Sequence, residues 1–200
     1  MFFIKNFKRK HFEKIVELMY NNTQVGKVKY TEMRSYMFEV NEKVVYGVVG
    51  VCEIEQIGRP PIKGIDKDYF LQPVYDTKGI IYSPVENNKV MIRSIIGKDT
   101  CIKLIDRAKN CKKDEALNEK IHPSRYDEMV KSQDVIQLMH LVRALFNIKN
   151  DRAKELRRMK SADNRMLATA RKLLYGEIAA AMNEDYTAMS EQMDNYLSVL

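Results

Sequence analysis

Within residues 37–200 the pattern of apolar and polar positions changes near residue 97. From residue 37 to 96, apolar residues occur in short runs or alternate with polar ones, as they do from Val51 to Ile57. That period of two is typical of strands with one buried face. Beyond Gly97 the apolar residues return every three or four positions, which predicts helices. This order predicts an α+β fold, with strands first and helices afterwards.

The strand-rich region contains five short segments separated by turn residues. In the segment from residue 68 to 75, Tyr69 and Leu71 are expected on one face of a strand and Phe70 and Gln72 on the other. Proline residues, including Pro84, end several segments because proline has no backbone N–H to pair. Five short strands within about 60 residues, joined by tight turns, predict a small SH3-like or Tudor-like β-barrel.

The C-terminal region is predicted to be an all-α helical bundle. Asp134 is a good N-cap for one long helix, and Ser161 is expected to cap another. Apolar stripes at helical spacing are nearly always buried. The first stripe comprises Val135, Leu138, Met139, Val142, Leu145 and Phe146, and the second Met166, Leu167, Ala170, Leu173, Leu174, Ile178 and Ala181.

Positive charge is concentrated in two segments of this chain, whose net charge is +7. Residues 1–36 carry eight Lys/Arg and three Asp/Glu, residues 143–172 carry ten and three, and the rest is net acidic. Local basic character is typical of a nucleic-acid footprint, because polyanions bind such surfaces with release of counterions. The competing interpretation is that these basic residues only form the solvent-exposed face of a helix and bind no partner.

Residues 1–36 lie outside the recognisable pattern. Two hypotheses fit them: a basic arm that contacts nucleic acid, or an over-long start with native translation from Met37. The codons of residues 33–35 can contain a purine-rich ribosome-binding sequence, which favours the later start. We therefore divide the chain into a basic extension (1–36), a barrel (37–96) and a helical domain (97–200). Native peptides from before Met37 would refute the later start.

The sequence carries none of the common enzyme motifs, such as a P-loop, a dinucleotide fingerprint or a zinc-protease helix. Asp66 and Asp68 can hold a cation, but a turn with solvated charges is favoured. Cys52, Cys101 and Cys111 are widely spaced, which argues against a zinc ribbon. We predict a non-enzymatic binding protein without cofactor or metal. Without a long apolar segment or a signal peptide, the expected location is the cytoplasm.

Two parts of the chain carry a family resemblance. The stretches MFEVNEKVVYGVVGVCEIEQI, GIDKDYFLQPVYD and IYSPVENNKVMIRSIIG resemble the N-terminal domain of the CarD/CdnL family of bacterial transcription regulators. That domain is similar to the RNA-polymerase-interacting domain of transcription-repair coupling factor. The stretch SADNRMLATARKLLYGEIAAAM resembles the C-terminal helical signature of the same family. The resemblance covers Met37 to about Met182.

The first stretch implies a partner. The resemblance implies that the Tudor-like domain docks on the lobe of the RNA polymerase β subunit by strand addition at residues 68–72, taken as an exposed edge. Neighbouring side chains are expected to assist. The implied polymerase-binding residues are Arg59, Asp68, Tyr69, Phe70, Leu71, Gln72 and Tyr82.

The second stretch implies contact with promoter DNA at the upstream edge of the transcription bubble. Relatives insert a tryptophan into the distorted minor groove there, which prolongs the open complex. This sequence has no tryptophan, and Leu117 is the candidate wedge in the corresponding segment, residues 112–122. Helical spacing places Arg165 and Lys172 opposite the apolar stripe, facing outward. The candidate DNA contacts are Arg125, Arg157, Arg158, Lys160, Arg165 and Lys172.

Together these features predict a monomeric transcription regulator that docks on polymerase, contacts promoter DNA and stabilises the open complex. It would be associated with the nucleoid through the polymerase. Two alternatives stay open. One is a general nucleic-acid-binding module without polymerase contact, and the other is a polymerase adaptor that does not melt promoters.

Overall fold

The computed structural model of the protein describes residues 38–61, 68–75, 79–85 and 89–199. The basic-arm and late-start hypotheses concern residues outside these ranges. Asp66, the first residue of the cation hypothesis, is also outside them.

The N-terminal part forms one five-stranded antiparallel sheet in the order β4-β3-β2-β1-β5. The strands are β1 (Lys43–Tyr46), β2 (Gly50–Gly58), β3 (Asp68–Pro73), β4 (Ile81–Pro84) and β5 (Ile92–Ser94). Within the described ranges β4 and β5 do not pair with each other, so the sheet is open. The predicted barrel closure is therefore wrong. Strand β5 is only three residues long, and Arg93 on it contacts the helical part rather than β4.

The sheet buries one face along its length, as the alternating sequence predicts, and also buries Val45 and Val51 on the opposite face. Its core comprises Val44, Cys52, Ile54, Tyr69, Leu71 and Val85. Gly47 allows the tight turn from β1 to β2, because it has a φ of 48° and a Cβ there would lie 2.6 Å from Cγ1 of Val90. The α+β class is confirmed, since every helix of the described residues follows the sheet.

The C-terminal part is a bundle of helices around a single apolar core. The helices are α1 (Lys98–Lys109), α2 (Glu115–Asn118), α3 (Tyr126–Ser132), α4 (Val135–Lys154), α5 (Ser161–Met182) and α6 (Tyr186–Leu197). Asp134 caps α4 as predicted, because its Oδ1 accepts hydrogen bonds from the N–H groups of Ile136 and Gln137 at 2.8 and 3.0 Å. The expected cap at Ser161 is wrong, since Lys160 holds the N-cap position of α5 and makes no side-chain cap bond.

Helix α5 is the central element of the molecule. Both predicted apolar stripes, on α4 and α5, lie in the helical core. However, all residues from 173 to 180 of α5 are buried, not only those of its stripe. The sheet and the segment after β3 account for part of this burial: a Cβ on Gly50 of β2 would lie 3.4 Å from Leu173 Cδ2, and a Cβ on Gly176 would lie 3.1 Å from the Tyr75 ring.

An ion pair between half-buried Arg93 and buried Glu177 joins the sheet to α5. Glu177, which is 1% exposed, accepts two hydrogen bonds from the guanidinium of Arg93, one of them 2.8 Å long, and one from the Ile96 N–H at 2.9 Å. Arg93 also donates to the backbone carbonyl of Gln133 at 2.7 Å. Since the Glu177 carboxylate is paired and hydrogen-bonded, its burial is compensated. This contact fixes the orientation of the helices against the sheet.

Candidate functional site

Strand β4 is the outer edge of the sheet. It pairs with β3 on one side, and no other strand of the described residues pairs with it. Strand β3 pairs with both β2 and β4, so the prediction that residues 68–72 form an exposed edge is wrong. The short run at Ile81–Pro84 covers that edge by pairing with residues 68–71. The exposed backbone of an edge strand therefore belongs to β4.

The side chains of β3 divide between the core and the surface as predicted. Tyr69 and Leu71 are buried in the sheet core, whereas Phe70 and Gln72 are half-buried on the opposite face. The rings of Phe70 and Tyr82 meet edge to face with centroids 5.0 Å apart. An aromatic pair thus lies on the sheet surface beside the β4 edge.

Two further candidates on the sheet differ sharply in accessibility. Arg59 is exposed just after β2. Asp68 is 1% exposed, and burial raises the pKa of its carboxyl above the ordinary value. With Tyr69 and Leu71, Asp68 is part of the folded interior, so these three residues have no surface for direct side-chain contact with a partner. Arg59, Phe70, Gln72 and Tyr82 remain as candidate contact residues.

The register of β4 indicates which backbone groups point outward. Pairs in an antiparallel ladder alternate between hydrogen-bonded and non-hydrogen-bonded. Pro84 lies opposite Asp68 and has no N–H, so that pair cannot exchange two hydrogen bonds. Tyr82, two residues earlier and opposite Phe70, belongs to the same type of pair. We infer that the N–H and C=O of Tyr82 point away from β3, toward the open edge.

A second candidate surface is the connection between α4 and α5, residues 155–160. Arg157, Arg158 and Lys160 are all exposed there, and Arg165 is exposed in the second turn of α5. The guanidinium of Arg157 lies 3.5 Å from the Glu155 carboxylate, but both side chains are largely solvated and the pair holds them weakly. The structure therefore brings four predicted DNA contacts together at one end of the bundle. We call this set the basic end.

Two other predicted DNA contacts lie elsewhere. Arg125 is exposed in a separate 3₁₀ turn, residues 123–125, before α3. Lys172 is half-buried and close to β2, since its charge partly offsets the burial that raises the pKa of the Cys52 thiol to about 11. Lys172 is thus less exposed than the four residues of the basic end, and its contact with DNA stays a prediction.

The predicted wedge is buried. Leu117 lies in α2, is 1% exposed and belongs to the helical core. The segment is folded by Asp114, which accepts a hydrogen bond from the Leu117 N–H at 3.1 Å and forms an ion pair with Arg107. Arg107 holds the pKa of the Asp114 carboxyl below its ordinary value. In this arrangement Leu117 cannot reach DNA, and the wedge prediction is wrong.

One exposed residue was not predicted from the sequence. Leu156 is 96% exposed between α4 and α5, beside Arg157 and Arg158. The sequence signal that could have identified Leu156 is that it is a single large apolar residue within a run of charged residues. The family resemblance pointed instead to residues 112–122 as the place for a wedge.

Neither a metal cluster nor a membrane-spanning helix is found among the described residues. No cluster of three or more His, Cys, Asp or Glu side chains with metal-binding geometry occurs among them. None of their helices has the length and apolarity required to span a bilayer. Burial raises the pKa of the Cys52 and Cys101 thiols to about 11, so these thiols are protonated near neutral pH.

Comparison with protein families assigns both halves of the chain. Residues 38–96 match the CarD-like/TRCF RID domain, and residues 103–194 match the C-terminal domain of CarD. The two matches follow each other in the order expected and together span most of the chain. The chain belongs to the CarD/CdnL family.

CarD/CdnL proteins are non-enzymatic transcription factors, and this member is an RNA-polymerase-interacting transcription regulator. The β4 edge and its aromatic pair lie in the region that matches the CarD-like/TRCF RID domain. The basic end lies in the region that matches the CarD C-terminal domain. In this CarD-family chain the two candidate surfaces are thus on different halves, joined by the Arg93–Glu177 pair.

Proposed function

We propose that this protein docks on the lobe of the RNA polymerase β subunit through the open edge of β4. At the same time the basic end contacts the phosphates of upstream promoter DNA, and the two contacts together stabilise the open complex. The observation that carries this proposal is the presence of an open strand edge and an exposed cationic segment on two regions that the Arg93–Glu177 pair joins.

The open edge supports docking by strand addition. An added strand gains affinity from main-chain hydrogen bonds and selectivity from neighbouring side chains. At β4 the outward N–H and C=O of Tyr82 supply the main-chain hydrogen bonds, and the rings of Phe70 and Tyr82 supply the selectivity. Tyrosine is enriched at such interfaces because it combines apolar area with a polar group.

The basic end supports contact with phosphates rather than with base edges. Arg157, Arg158 and Lys160 are solvated and occupy a connection, with no rigid element that aims them at a groove. Such residues position a protein on DNA and carry little sequence information. We therefore expect binding to many promoters, with specificity supplied by the polymerase.

Simultaneous contact explains stabilisation of the open complex. A ligand shifts an equilibrium toward the state that it binds more tightly. When the protein is bound to polymerase, the basic end is held near the promoter DNA, so its contact with that DNA becomes intramolecular and occurs at a high effective concentration. A promoter conformation that brings upstream DNA to this surface gains that contact. We expect the protein to act as a monomer in the cytoplasm, associated with the nucleoid through the polymerase.

The docking step is tested by substitution at Tyr82. Tyr82→Pro removes both the ring and the outward N–H, whereas Tyr82→Val removes only the ring. We expect Tyr82→Pro to weaken binding to an isolated β-lobe fragment by roughly 10-fold more than Tyr82→Val does, since it also removes a strand-addition hydrogen bond. Calorimetric titration of the full chain with the lobe fragment measures both.

The control for this experiment is a measurement of folding, because a substitution in a strand as short as β4 can disrupt the strand itself. Proline is tolerated on edge strands, whereas Phe70→Pro lies in an interior strand and would disrupt the sheet. Circular dichroism must therefore show native signal for both Tyr82 variants. Equal binding of folded Tyr82→Pro and Tyr82→Val would reject strand addition at β4.

The DNA step is tested by the salt dependence of binding to duplex DNA. Replacing Arg157, Arg158 or Lys160 by Gln, one at a time, is expected to lower the slope of log K against log salt by about 0.9 for each phosphate that the replaced cation neutralised. Lys103→Gln, an exposed change on α1, is the control. A slope that none of the three variants alters would remove the basic end from the proposal.

A second candidate function is a polymerase adaptor that does not influence promoter melting. The burial of Leu117 favours it, because the wedge residue predicted from the family resemblance cannot reach DNA. Open-complex lifetime separates the two functions. A protein that binds the lobe but leaves that lifetime unchanged is an adaptor.

A further inference from the structure

The β4 edge lacks the charged side chains that usually protect an open strand edge. Soluble proteins place lysine or other charged residues on such edges, because an unprotected edge pairs with the edge of another chain. Residues 79–85 include no charged residue, and two of their exposed side chains are large: Ile80 is 43% exposed and Tyr82 is 37% exposed. The short length of β4 and Pro84 restrict pairing to a few residues but do not prevent it.

The exposed side chains of this edge lie on one face of the sheet. Side chains alternate along a strand, so Ile80, Tyr82 and Pro84 share the face on which the Tyr82 ring meets Phe70. Ser83, between them, is fully buried on the core side. A strand added to β4 would therefore meet apolar side chains at every second position of this edge.

This row of side chains is complementary to a copy of itself. When two identical strands pair antiparallel with Tyr82 at the centre, Tyr82 lies opposite Tyr82, and Ile80 of each copy lies opposite Pro84 of the other. Directly opposed side chains are the main source of stabilisation between strands, and aromatic pairs are among the most favourable. The sequence of the edge thus fits a second copy of this chain without any change of register.

The charges next to the segment are compatible with the same register. Lys78 and Glu86 are the nearest charged residues in the sequence, four positions before and four positions after Tyr82. An antiparallel pairing centred on Tyr82 therefore matches unlike charges in sequence position and opposes no like charges. Both residues lie outside the described ranges, so the pairing surface is defined by residues 80–84 alone.

The backbone of β4 also suits this pairing. The register with β3 orients the N–H and C=O of Tyr82 toward the open edge. Two residues oriented in this way and placed opposite each other exchange two hydrogen bonds. If the alternation continues to residue 80, the Ile80 N–H faces the Pro84 carbonyl of the second copy, which accepts although proline cannot donate. Hydrogen bonds thus form at the centre of the pairing and on both sides of it.

We propose that β4 pairs with β4 of a second copy of this chain, antiparallel and centred on Tyr82. The two five-stranded sheets then become one continuous sheet. A two-fold contact of this kind closes on itself, so it gives a dimer rather than a fibre. The contact is smaller than a standard interface, so we expect weak and reversible association with a dissociation constant of roughly 100 µM.

The pairing goes beyond the proposed docking and does not require it, but the two use the same backbone groups. An edge that is paired with a second copy cannot accept a strand of the β lobe. The dimer is therefore a closed form of the protein, and the monomer is the form that docks. This competition, unlike the pairing itself, rests on the proposed function.

Self-association is measured by sedimentation equilibrium of the full-length protein, loaded from about 10 µM to about 1 mM so that the range brackets the expected dissociation constant. We expect wild type to follow a monomer–dimer equilibrium. Tyr82→Lys removes the ring pair and places like charges opposite each other, so it should weaken the dimer by roughly 10-fold or more. Tyr82→Glu should do the same. The control is Met91→Lys, which charges another exposed apolar position, beside β5, and should leave the dimer unchanged.

A mixture of the two charge variants tests the register. In a heterodimer of Tyr82→Lys with Tyr82→Glu, unlike charges lie opposite each other, which is favourable across a strand pair. We expect the equimolar mixture to form dimers under conditions in which each variant alone is monomeric. Such a rescue requires both variants to be folded, so it separates a specific effect on pairing from a loss of structure.

The outcomes distinguish this proposal from the proposed docking. A wild type that stays monomeric at all concentrations overturns the pairing and leaves the docking intact. A dimer that Tyr82→Lys does not weaken, or a mixture that does not associate, also overturns it, because another surface or register is then responsible. Addition of the β-lobe fragment to the wild-type dimer is expected to give a one-to-one complex. A lobe that binds without dissociating a Tyr82-dependent dimer would uphold the pairing and reject docking at β4.

Discussion

The β4 edge and the basic end present two opposite ways of building a binding surface. At β4 the side chains are positioned by a ladder, and the pairing with β3 fixes which face Phe70 and Tyr82 occupy. At the basic end the cations are solvated and project from a connection between helices. The first surface is ordered before binding, whereas the second keeps its side-chain freedom until a partner arrives.

This difference indicates a division of labour. An ordered edge with directional hydrogen bonds selects one partner, because register and side chains must both match. Solvated cations accept many sequences at similar affinity, because the phosphate backbone is uniform. We conclude that the sheet selects the protein partner, whereas the helices bind DNA of many sequences. Because the two regions are in contact, docking of the sheet determines where the helices bind DNA.

The largest expected effect is the separation of the two regions by Glu177→Ala. Arg93 would lose its carboxylate partner but keep the Gln133 carbonyl, and its side chain is 27% exposed, so the cost should lie below the roughly 3–5 kcal/mol typical of a fully buried pair. We expect denaturant unfolding to split into two transitions, one for the sheet and one for the helices. Glu177→Gln keeps the shape and an acceptor for the Ile96 N–H, so it should be less affected. A single unshifted transition for Glu177→Ala would contradict the role of the pair.

Alkaline pH tests both regions together, because Cys52 lies in the sheet core and Cys101 in the helical core. Burial raises both thiol pKa values from 9.0 to about 11 and also raises the pKa of Tyr175. The unfolded chain therefore loses these protons first, and stability falls as pH rises from about 9 toward 11. The expected loss at pH 11 is about 2 kcal/mol for each thiol. Denaturant midpoints at several pH values measure it.

The thiol contribution can be assigned by substitution. Cys52→Ala should reduce the alkaline slope by the contribution of the sheet, and Cys101→Ala by that of the helices. The slope is the quantity to compare, since each substitution also changes stability at neutral pH. A slope that neither substitution alters would show that other groups control alkaline unfolding.

A smaller effect is expected at the N-cap of α4. Asp134→Ala removes the acceptor for the N–H groups of Ile136 and Gln137 and should cost about 1 kcal/mol. Asp134→Asn retains a capping acceptor and should cost little. Since Gln133, which contacts Arg93, directly precedes the cap, this pair of variants also tests whether the junction depends on the start of α4. Denaturant titration is sufficient to measure both.

The smallest expected effect distinguishes Lys172 from the basic end. Lys172→Gln should leave the salt slope of DNA binding unchanged, because Lys172 is half-buried against the sheet. Arg158→Gln should lower that slope by about 0.9. Equal reductions in the two variants would indicate that DNA also reaches the sheet side of α5, and the comparison of the two surfaces would need revision.

The local features of this fold were predictable from the sequence, whereas the pairing of distant elements was not. The stripes on α4 and α5 follow from a period of 3.6, which adjacent residues define. The alternation of Tyr69 and Phe70 follows in the same way from a period of two. Whether β3 is an edge depends on the pairing of Ile81–Pro84, which a residue-by-residue pattern does not contain.

The candidate site was predicted in part for the same reason. Arg157, Arg158, Lys160 and Arg165 are neighbours in sequence, so their grouping needed no tertiary information. Lys172 is less exposed than a helical wheel with one apolar stripe predicts, because residues 173–180 of α5, directly after it, are all buried. Leu117 was misassigned because the Asp114 cap folds a polar-looking segment into a helix with its leucine turned inward.

The strand order sets the distance between the open edge at β4 and strand β5 at the other side of the sheet. The open edge at β4 and the helix-contacting strand β5 are the two outermost strands of the sheet, separated by four inter-strand spacings. At about 4.8 Å for each spacing, the sheet holds them at most about 19 Å apart. Longer or shorter loops between the strands leave this span unchanged. The reach from a partner on β4 to the Arg93–Glu177 contact is therefore set by the number of strands.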